Sequence, residues 1–378
     1  METPEAADAL RAALDRAAVG LVERRALVEL VGLAAVAGEH LLVLGPPGTA
    51  KSEAVRRVAA CLGGRYFEYL LGRFTEPSEL FGPVDLRRLR EGVVEVETSG
   101  MLPEAEVAFL DEVFLGSTAI LNTLLGILNE RRFRRGHTDI ACPLRVGVGA
   151  SNALPEDEGL AAFADRFLVR YFAEPVADPL LEDLLEAGWG QGATSEAEPL
   201  GFAPLDTLGK AARACDLAPA RLYLAEALRL LRREGIFLSD RRAVRAQRLV
   251  AAAAVLSGRD RAEPADLWPV VFAVPEAEGQ RDAREILSDV LERAESSTLP
   301  TAAALASSGP AARAAPLIEV GRKLVDFENP GRSEILKMEG VLREIDAGFA
   351  ASTRPADLEA LRRDLAEIVQ RGWSAEEE

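Results

Sequence analysis

Two groups of residues carry the chemistry. One is the octapeptide Gly45-Pro46-Pro47-Gly48-Thr49-Ala50-Lys51-Ser52, the other the adjacent pair Asp111-Glu112. A glycine-bearing loop ahead of Lys-Ser lets successive backbone N–H groups curl around phosphate oxygens, and a helix that begins there adds partial positive charge. Lys51 would reach the β- and γ-phosphates of a nucleoside triphosphate, and the Ser52 hydroxyl would hold Mg²⁺. The sixth residue, Ala50, departs from the general pattern, in which glycine is usual. Asp111 would orient Mg²⁺ or its waters, and Glu112 would polarise the attacking water as general base. Alone, the first group says only that phosphate binds, an ordinary Gly/Pro turn being the alternative, and the second could be a strand that simply stops at two solvated acids. Together they point to nucleotide hydrolysis.

The elements around these residues fit that chemistry. Leu41–Leu44 is an apolar run that enters the loop, and Val55, Val58, Ala59 and Leu62 mark one face of the helix that leaves it. Val107–Leu110 is a buried strand with both acids at its C-terminal end, where ligands bind in a parallel sheet. Arg65–Leu71, Leu144–Ala150 and Leu168–Phe172 are the remaining strands. Asn152, at the tip of one of them, could hydrogen-bond the γ-phosphate or the water, although a turn asparagine is the plainer reading. Five strands separated by helices give an α/β fold with a mainly parallel sheet. Val93–Thr98 alternates like one strand of a hairpin. Helices are expected over 6–37 with a break near Gly20, and over 118–131. Arg131–Arg135 reads as a basic hairpin, facing solvent, a pore or a neighbouring subunit.

Beyond Pro175 the strand signal disappears. Helices are expected over 178–188, 205–215, 221–234, 239–256 (with Ser239 as N-cap) and 264–274, with an exposed loop over 190–204. After Glu276 three apolar stripes suit a helical bundle: Leu287 with Val290, Leu291 and Ala294; Met338 with Val341, Leu342, Ile345 and Phe349; and Leu358 with Leu361, Leu365 and Ile368. The tail Glu376–Glu378 is expected to be disordered.

The 378 residues suffice for two or three domains, and 48% hydrophobic content supports a sizeable core. A net charge of −17 argues against sequence-independent nucleic-acid binding. Cys61, Cys142 and Cys215 are scattered and only His40 and His137 accompany them, so a zinc site is not expected and a reducing cytosol is the simplest compartment. The start Met1–Glu5 does not read as a signal peptide, and no apolar run is long enough to span a membrane.

The order of phosphate loop, Phe-Leu-Asp-Glu strand, Ala150-Ser151-Asn152, Asp165-Arg166-Phe167 and a later helical region with Ser239-Asp240-Arg241 resembles the AAA+ ATPases. The wording is most similar to the MoxR branch, and within it to RavA-type members. That branch also carries alanine before the loop lysine. Phe67-Glu68-Tyr69-Leu70, Phe81-Gly82-Pro83, Leu102–Glu106 and Asn129-Glu130-Arg131 continue the likeness, which covers roughly residues 18–260. The resemblance implies a P-loop AAA+ αβα core over 1–175, with a helix-2 insert near 74–103 and a pre-sensor-1 hairpin near 131–147. It also implies an all-α lid over 176–275 and, less directly, a C-terminal helical region over 276–378. Gly45–Ser52 would bind ATP, Ser52 and Asp111 Mg²⁺, Asn152 would be sensor 1, and Arg166 an arginine finger offered in trans. Arg241 would be sensor 2, with Arg242 the weaker candidate. The family implies a ring, expected to be a hexamer, that remodels or matures a partner protein beside a von Willebrand factor A (vWA) domain protein. The alternative is the motor subunit of a metal-insertion, chelatase-like complex.

Overall fold

A computed structural model of the chain describes residues 2–189, 198–307, 310–325, 327, 330–349 and 354–376. The core runs α1 (Thr3–Ala18), α2 (Arg25–Ala37), β1 (Leu41–Leu44), α3 (Lys51–Leu62), β2 (Tyr66–Leu70), α4 (Pro77–Phe81), α5 (Leu86–Arg90), β3 (Val107–Asp111), α6 (Thr118–Glu130), β4 (Arg132–Arg135), β5 (Thr138–Ala141), β6 (Val146–Ser151), α7 (Glu158–Ala164) and β7 (Val169–Phe172). Five strands form one sheet in the order β2-β3-β6-β1-β7, and every pairing is parallel.

The period of two along the central strands sets up the layers. Leu41 and Val43 face one side, where they meet α1, α2 and α3 through residues such as Leu30, Val55 and Val58. Leu42 and Leu44 face the other, against Ile120 and Leu124 of α6 and Phe163 of α7. Strands buried on both faces read as continuous apolar runs, which is why the sequence shows them plainly. The result is the expected αβα sandwich.

The helical part that follows comprises α8 (Leu181–Trp189), α9 (Ala203–Ala214), α10 (Ala218–Arg233), α11 (Asp240–Leu256), α12 (Ala277–Ile286), α13 (Ser288–Leu291), α14 (Pro300–Ala306), α15 (Pro310–Val325), α16 (Arg332–Gly348) and α17 (Ala356–Glu376). Helices α9 and α11 pack against α1 and α2, so one apolar core is shared with the α/β unit. Ser239 caps α11 as expected, accepting from the Arg242 backbone N–H.

Three expectations change. Val93–Thr98 forms no continuous strand: it makes one isolated antiparallel bridge, Val84 to Val96. Val94 and Val96 also bond the β4–β5 hairpin: His137 N donates to Val94 O (2.8 Å) and Val96 N donates to Thr138 Oγ1 (2.9 Å). The segment Pro264–Ala273 is helical but of the tighter 3₁₀ type, with Pro269 inside, where it removes one backbone donor. The stripe of Leu287 and Leu291 does not join the C-terminal bundle but packs into the main core. The bundle is α15–α17 alone, closed around Met338, Val341, Ile345, Leu358, Leu361 and Leu365. The loop expected over 190–204 and the tail at 376–378 lie partly outside the described residues. Among the described residues no helix is long and apolar enough to cross a membrane.

Candidate nucleotide-binding site

The loop Gly45–Ala50 leaves the C-terminal end of β1, and α3 starts at Lys51. Gly45 N donates to Ser151 O (3.2 Å), tying the loop to β6. A Cβ at Gly45 would lie 2.2 Å from Ala173 O, so only glycine fits. Thr49 Oγ1 donates to Pro46 O (3.0 Å). Ala50 sits at φ 55°, ψ 29°, the left-handed region, which accounts for glycine being usual there and gives alanine a local strain of about 1–2 kcal/mol. From below, Arg24 braces the loop: it is 4% exposed, and its Nε donates to Thr49 O (2.8 Å) and its Nη2 to Glu174 O (2.6 Å).

Lys51 is buried, and its Nζ donates to Gly45 O (2.7 Å) and Pro46 O (3.0 Å). Burial pulls its pKa down, while Asp111 and Glu112 pull it up. These two acids end the neighbouring part of the sheet. Asp111 is the last residue of β3, and its Oδ1 accepts from Glu112 N (3.0 Å). Glu112 turns the chain with φ 48°, and its Oε1 accepts from Asn152 Nδ2 at 2.8 Å. Asn152 directly follows β6, which lies between β3 and β1. The structure thus brings Lys51, Asp111, Glu112 and Asn152 to the C-terminal ends of three adjacent strands.

Arg166 and Arg241 are elsewhere. With Arg245, Asp240, Val244 and Asn129 they line an open pocket of about 570 Å³. Burial lowers the Arg166 pKa, with Arg241 and Arg245 adding repulsion and Asp165 opposing it. Arg241 is half exposed, 3.8 Å from Asp165 Oδ2. Arg242 is 1% exposed and engaged on all sides, donating to Ala273 O (2.8 Å), Phe167 O (3.0 Å) and Leu168 O (2.6 Å), with Asp165 at 3.4 Å. Among the described residues neither Arg166 nor Arg241 touches Gly45–Ser52.

Arg131, read above as part of the basic hairpin, turns inward instead. It is the C-cap of α6 at φ 55°, and its guanidinium donates to Leu128 O (2.7 Å) and Gly38 O (3.0 Å) beside His40. Burial pulls its pKa down to about 10. Arg24 also matters to the geometry and has no local sequence signal, whereas Asp165 and Arg131 stand in motifs the sequence displays, although nothing local reveals the contacts they make.

The residues present fit a Mg²⁺-bound nucleoside triphosphate. The donors next to the loop are a hydroxyl and a carboxylate, hard oxygens suited to Mg²⁺. A cation, Lys51, sits inside the loop on carbonyls that a phosphate oxygen can replace. Gly48, at φ 81°, has open space around it.

A family model described as "MoxR domain in the MoxR-vWA-beta-propeller ternary systems" matches residues 8–208, and an AAA lid domain model matches 221–285. The chain belongs to the MoxR family of AAA+ ATPases. Two uncharacterized proteins of Methanocaldococcus jannaschii are each 37% identical to this MoxR-family chain, over 247 and 251 residues. Each match takes in 65% of the chain and 64% or 66% of the relative, so the chain spans just under two thirds of those proteins. Chaperone MoxR1 of Mycobacterium tuberculosis is 30% identical over 178 residues, 46% of this chain and 44% of that protein. A crystal structure of a candidate ATPase from Cytophaga hutchinsonii shares the fold, with TM-score 0.63 and 16% identity over 78% of this chain and 97% of that one.

Proposed function

We propose that this MoxR-family chain hydrolyses ATP with Mg²⁺ in a ring of copies, expected to be a hexamer, and uses the turnover to remodel or mature a partner protein in the cytoplasm. The observation that carries the reading is the convergence of Lys51, Asp111, Glu112 and Asn152 at the strand ends. Mg²⁺, when bound, neutralises developing charge on the β- and γ-phosphate oxygens. Ser52 and Asp111 would hold it. Lys51 would exchange its loop carbonyls for phosphate oxygens and lend its charge there. Glu112 takes the proton of the attacking water as general base. Asn152, which holds Glu112 at 2.8 Å, serves as sensor 1: turning its amide toward the phosphate side frees the carboxylate.

Arg166 and Arg241 take roles toward a neighbouring copy. Three arginines around one pocket, with Asp165 and Asp240 as the nearby acids, invite an outside anion, and among the described residues no loop residue of Gly45–Ser52 lines that pocket. Arg166 is then the finger and Arg241 sensor 2. The division into a core over 1–175, a lid over 176–275 and a C-terminal region over 276–378 is part of the same reading. A partner with a vWA domain is favoured by the description of the matching family model.

The test is Glu112→Gln. The variant should bind ATP with near-normal affinity and turn it over at least ~100-fold more slowly. Near-normal turnover would remove Glu112 as the base and, with it, this mechanism.

A further inference from the structure

We propose that a cavity at the opposite end of the sheet is a second anion site, which takes compact oligophosphates independently of Gly45–Ser52. The cavity holds about 530 Å³, within the usual range for small-molecule sites. It lies where β1 and β6 begin: Gly38 and Arg145 are on its wall, whereas Gly45 and Asn152 follow the other ends of those strands.

Its lining reverses the charge of the molecule. The chain carries −17, yet Arg131, Arg145, Arg213 and Arg248 converge here from four separate elements: the C-cap of α6, the segment before β6, α9 and α11. Two carboxylates answer them. Asp206 pairs with Arg145 at 2.5 Å, and the fully buried Glu39 takes Arg248 at 2.9 Å. Arg131 is satisfied by backbone carbonyls, and Arg245 shares Glu39 from outside the cavity. Among the described residues Arg213 has no ion pair, and the Arg145 Nε–H is buried with no acceptor. Four guanidinium groups against two carboxylates leave an excess of two positive charges.

That excess sets the ligand class. Planar guanidinium forks match phosphate oxygens two at a time, and several forks from different directions favour a small anion with more than one phosphoryl group. The volume suits a small molecule rather than a polymer. Because Arg131 and Arg145 flank the root of the β4–β5 hairpin while Arg213 and Arg248 belong to the helical region, a bound oligophosphate would bridge the two.

The experiment uses the full chain carrying Lys51→Ala, which disables the phosphate loop, and inorganic tripolyphosphate as the probe, by calorimetry at low ionic strength. Saturable binding should survive Lys51→Ala. Adding Arg213→Glu should weaken it about tenfold or more, since a charge-assisted contact is lost and a repulsive one gained. Arg213 is exposed, so the variant should fold, which circular dichroism checks. Adding Asp206→Asn instead should tighten binding, and Arg90→Glu, in α5, should change nothing. Loss of binding on Lys51→Ala would assign the probe to the phosphate loop and overturn the proposal. So would affinity unaltered by Arg213→Glu.

Discussion

His40 offers the sharpest test of the packing beneath the site. The perturbation is a fall in pH from 7.5 to 5.5. The imidazole is 1% exposed; its Nδ1 accepts from Gly147 N (2.9 Å) and its Nε2 lies 2.8 Å from Leu128 O. The single ring hydrogen therefore belongs on Nε2. A second proton on Nδ1 would point at the Gly147 N–H, in a dry site beside Arg131. Burial, then Arg131, hold the His40 pKa well below 6.5, with Arg245 adding to the repulsion. The unfolded chain takes a proton at about 6.5 and the folded chain does not. Below that pH the unfolded state binds more protons, so stability falls with falling pH, at up to about 1.4 kcal/mol per unit. Integrated between pH 7.5 and 5.5, the loss from this one group is about 1.4 kcal/mol. Glu29 and Glu39 are buried with raised pKa values and act with the opposite sign, gaining stability as pH falls through their folded values. The assay must therefore isolate His40. Urea midpoints at the two pH values, compared between the native chain and His40→Gln, do so by difference, and NMR of the two imidazoles in the chain reads protonation directly. A His40 signal that titrates near 6.5, or an unchanged pH dependence in His40→Gln, would refute the reasoning.

Three further outcomes follow from the site. Mixing Arg166→Ala with Lys51→Ala copies should restore ATP turnover, because each mixed junction can pair an intact finger with an intact loop; confirmed mixed rings without rescue would place Arg166 outside that role. Arg241→Ala should lower turnover with little change in melting temperature, whereas Arg242→Ala should cost about 3 kcal/mol or more by leaving Asp165 and three buried carbonyls without their donor; the reverse pattern in thermal unfolding and ATPase assays would exchange their roles. Ala50→Gly should leave the nucleotide-free protein equally stable or up to ~1 kcal/mol more so, since relief at φ 55° is partly offset by glycine's greater unfolded freedom, and Gly48→Ala should destabilise by about 1 kcal/mol despite its open surroundings; calorimetric melting of the pair decides it.

What the sequence made legible was local. The strand-loop-helix around Gly45–Ser52 and the apolar run into Asp111-Glu112 need only neighbouring residues to declare themselves, and the central strands were plain because burial on both faces leaves little polar interruption. The illegible parts are long-range. Arg24 looks like an ordinary charge at a helix start, yet its acceptors lie 25 and 150 residues away. Arg131 stands in a run of arginines that compositionally looks uniform; a left-handed C-cap turns it inward while Arg132–Arg135 continue into the hairpin. The Leu287–Leu291 stripe has the right period for a bundle, but periodicity names a buried face and not the surface that buries it.

The place of Arg241 shows how such long-range contacts shape the candidate machinery. Asp165 receives the Ser239 hydroxyl and Arg242, both from the first turn of α11 or its cap. Arg242 goes inward, where backbone carbonyls at Phe167, Leu168 and Ala273 converge on its guanidinium. On a helix consecutive residues point about 100° apart, so burying Arg242 turns Arg241 outward. It then stands beside Arg166, which follows Asp165 in the chain. One buried arginine thus fixes the α11 start against the α7–β7 turn, and exposed Arg241 and half-buried Arg166 share a pocket as a consequence. Their mutual repulsion, tempered by nearby aspartates, is an arrangement that gains most when an anion enters between them.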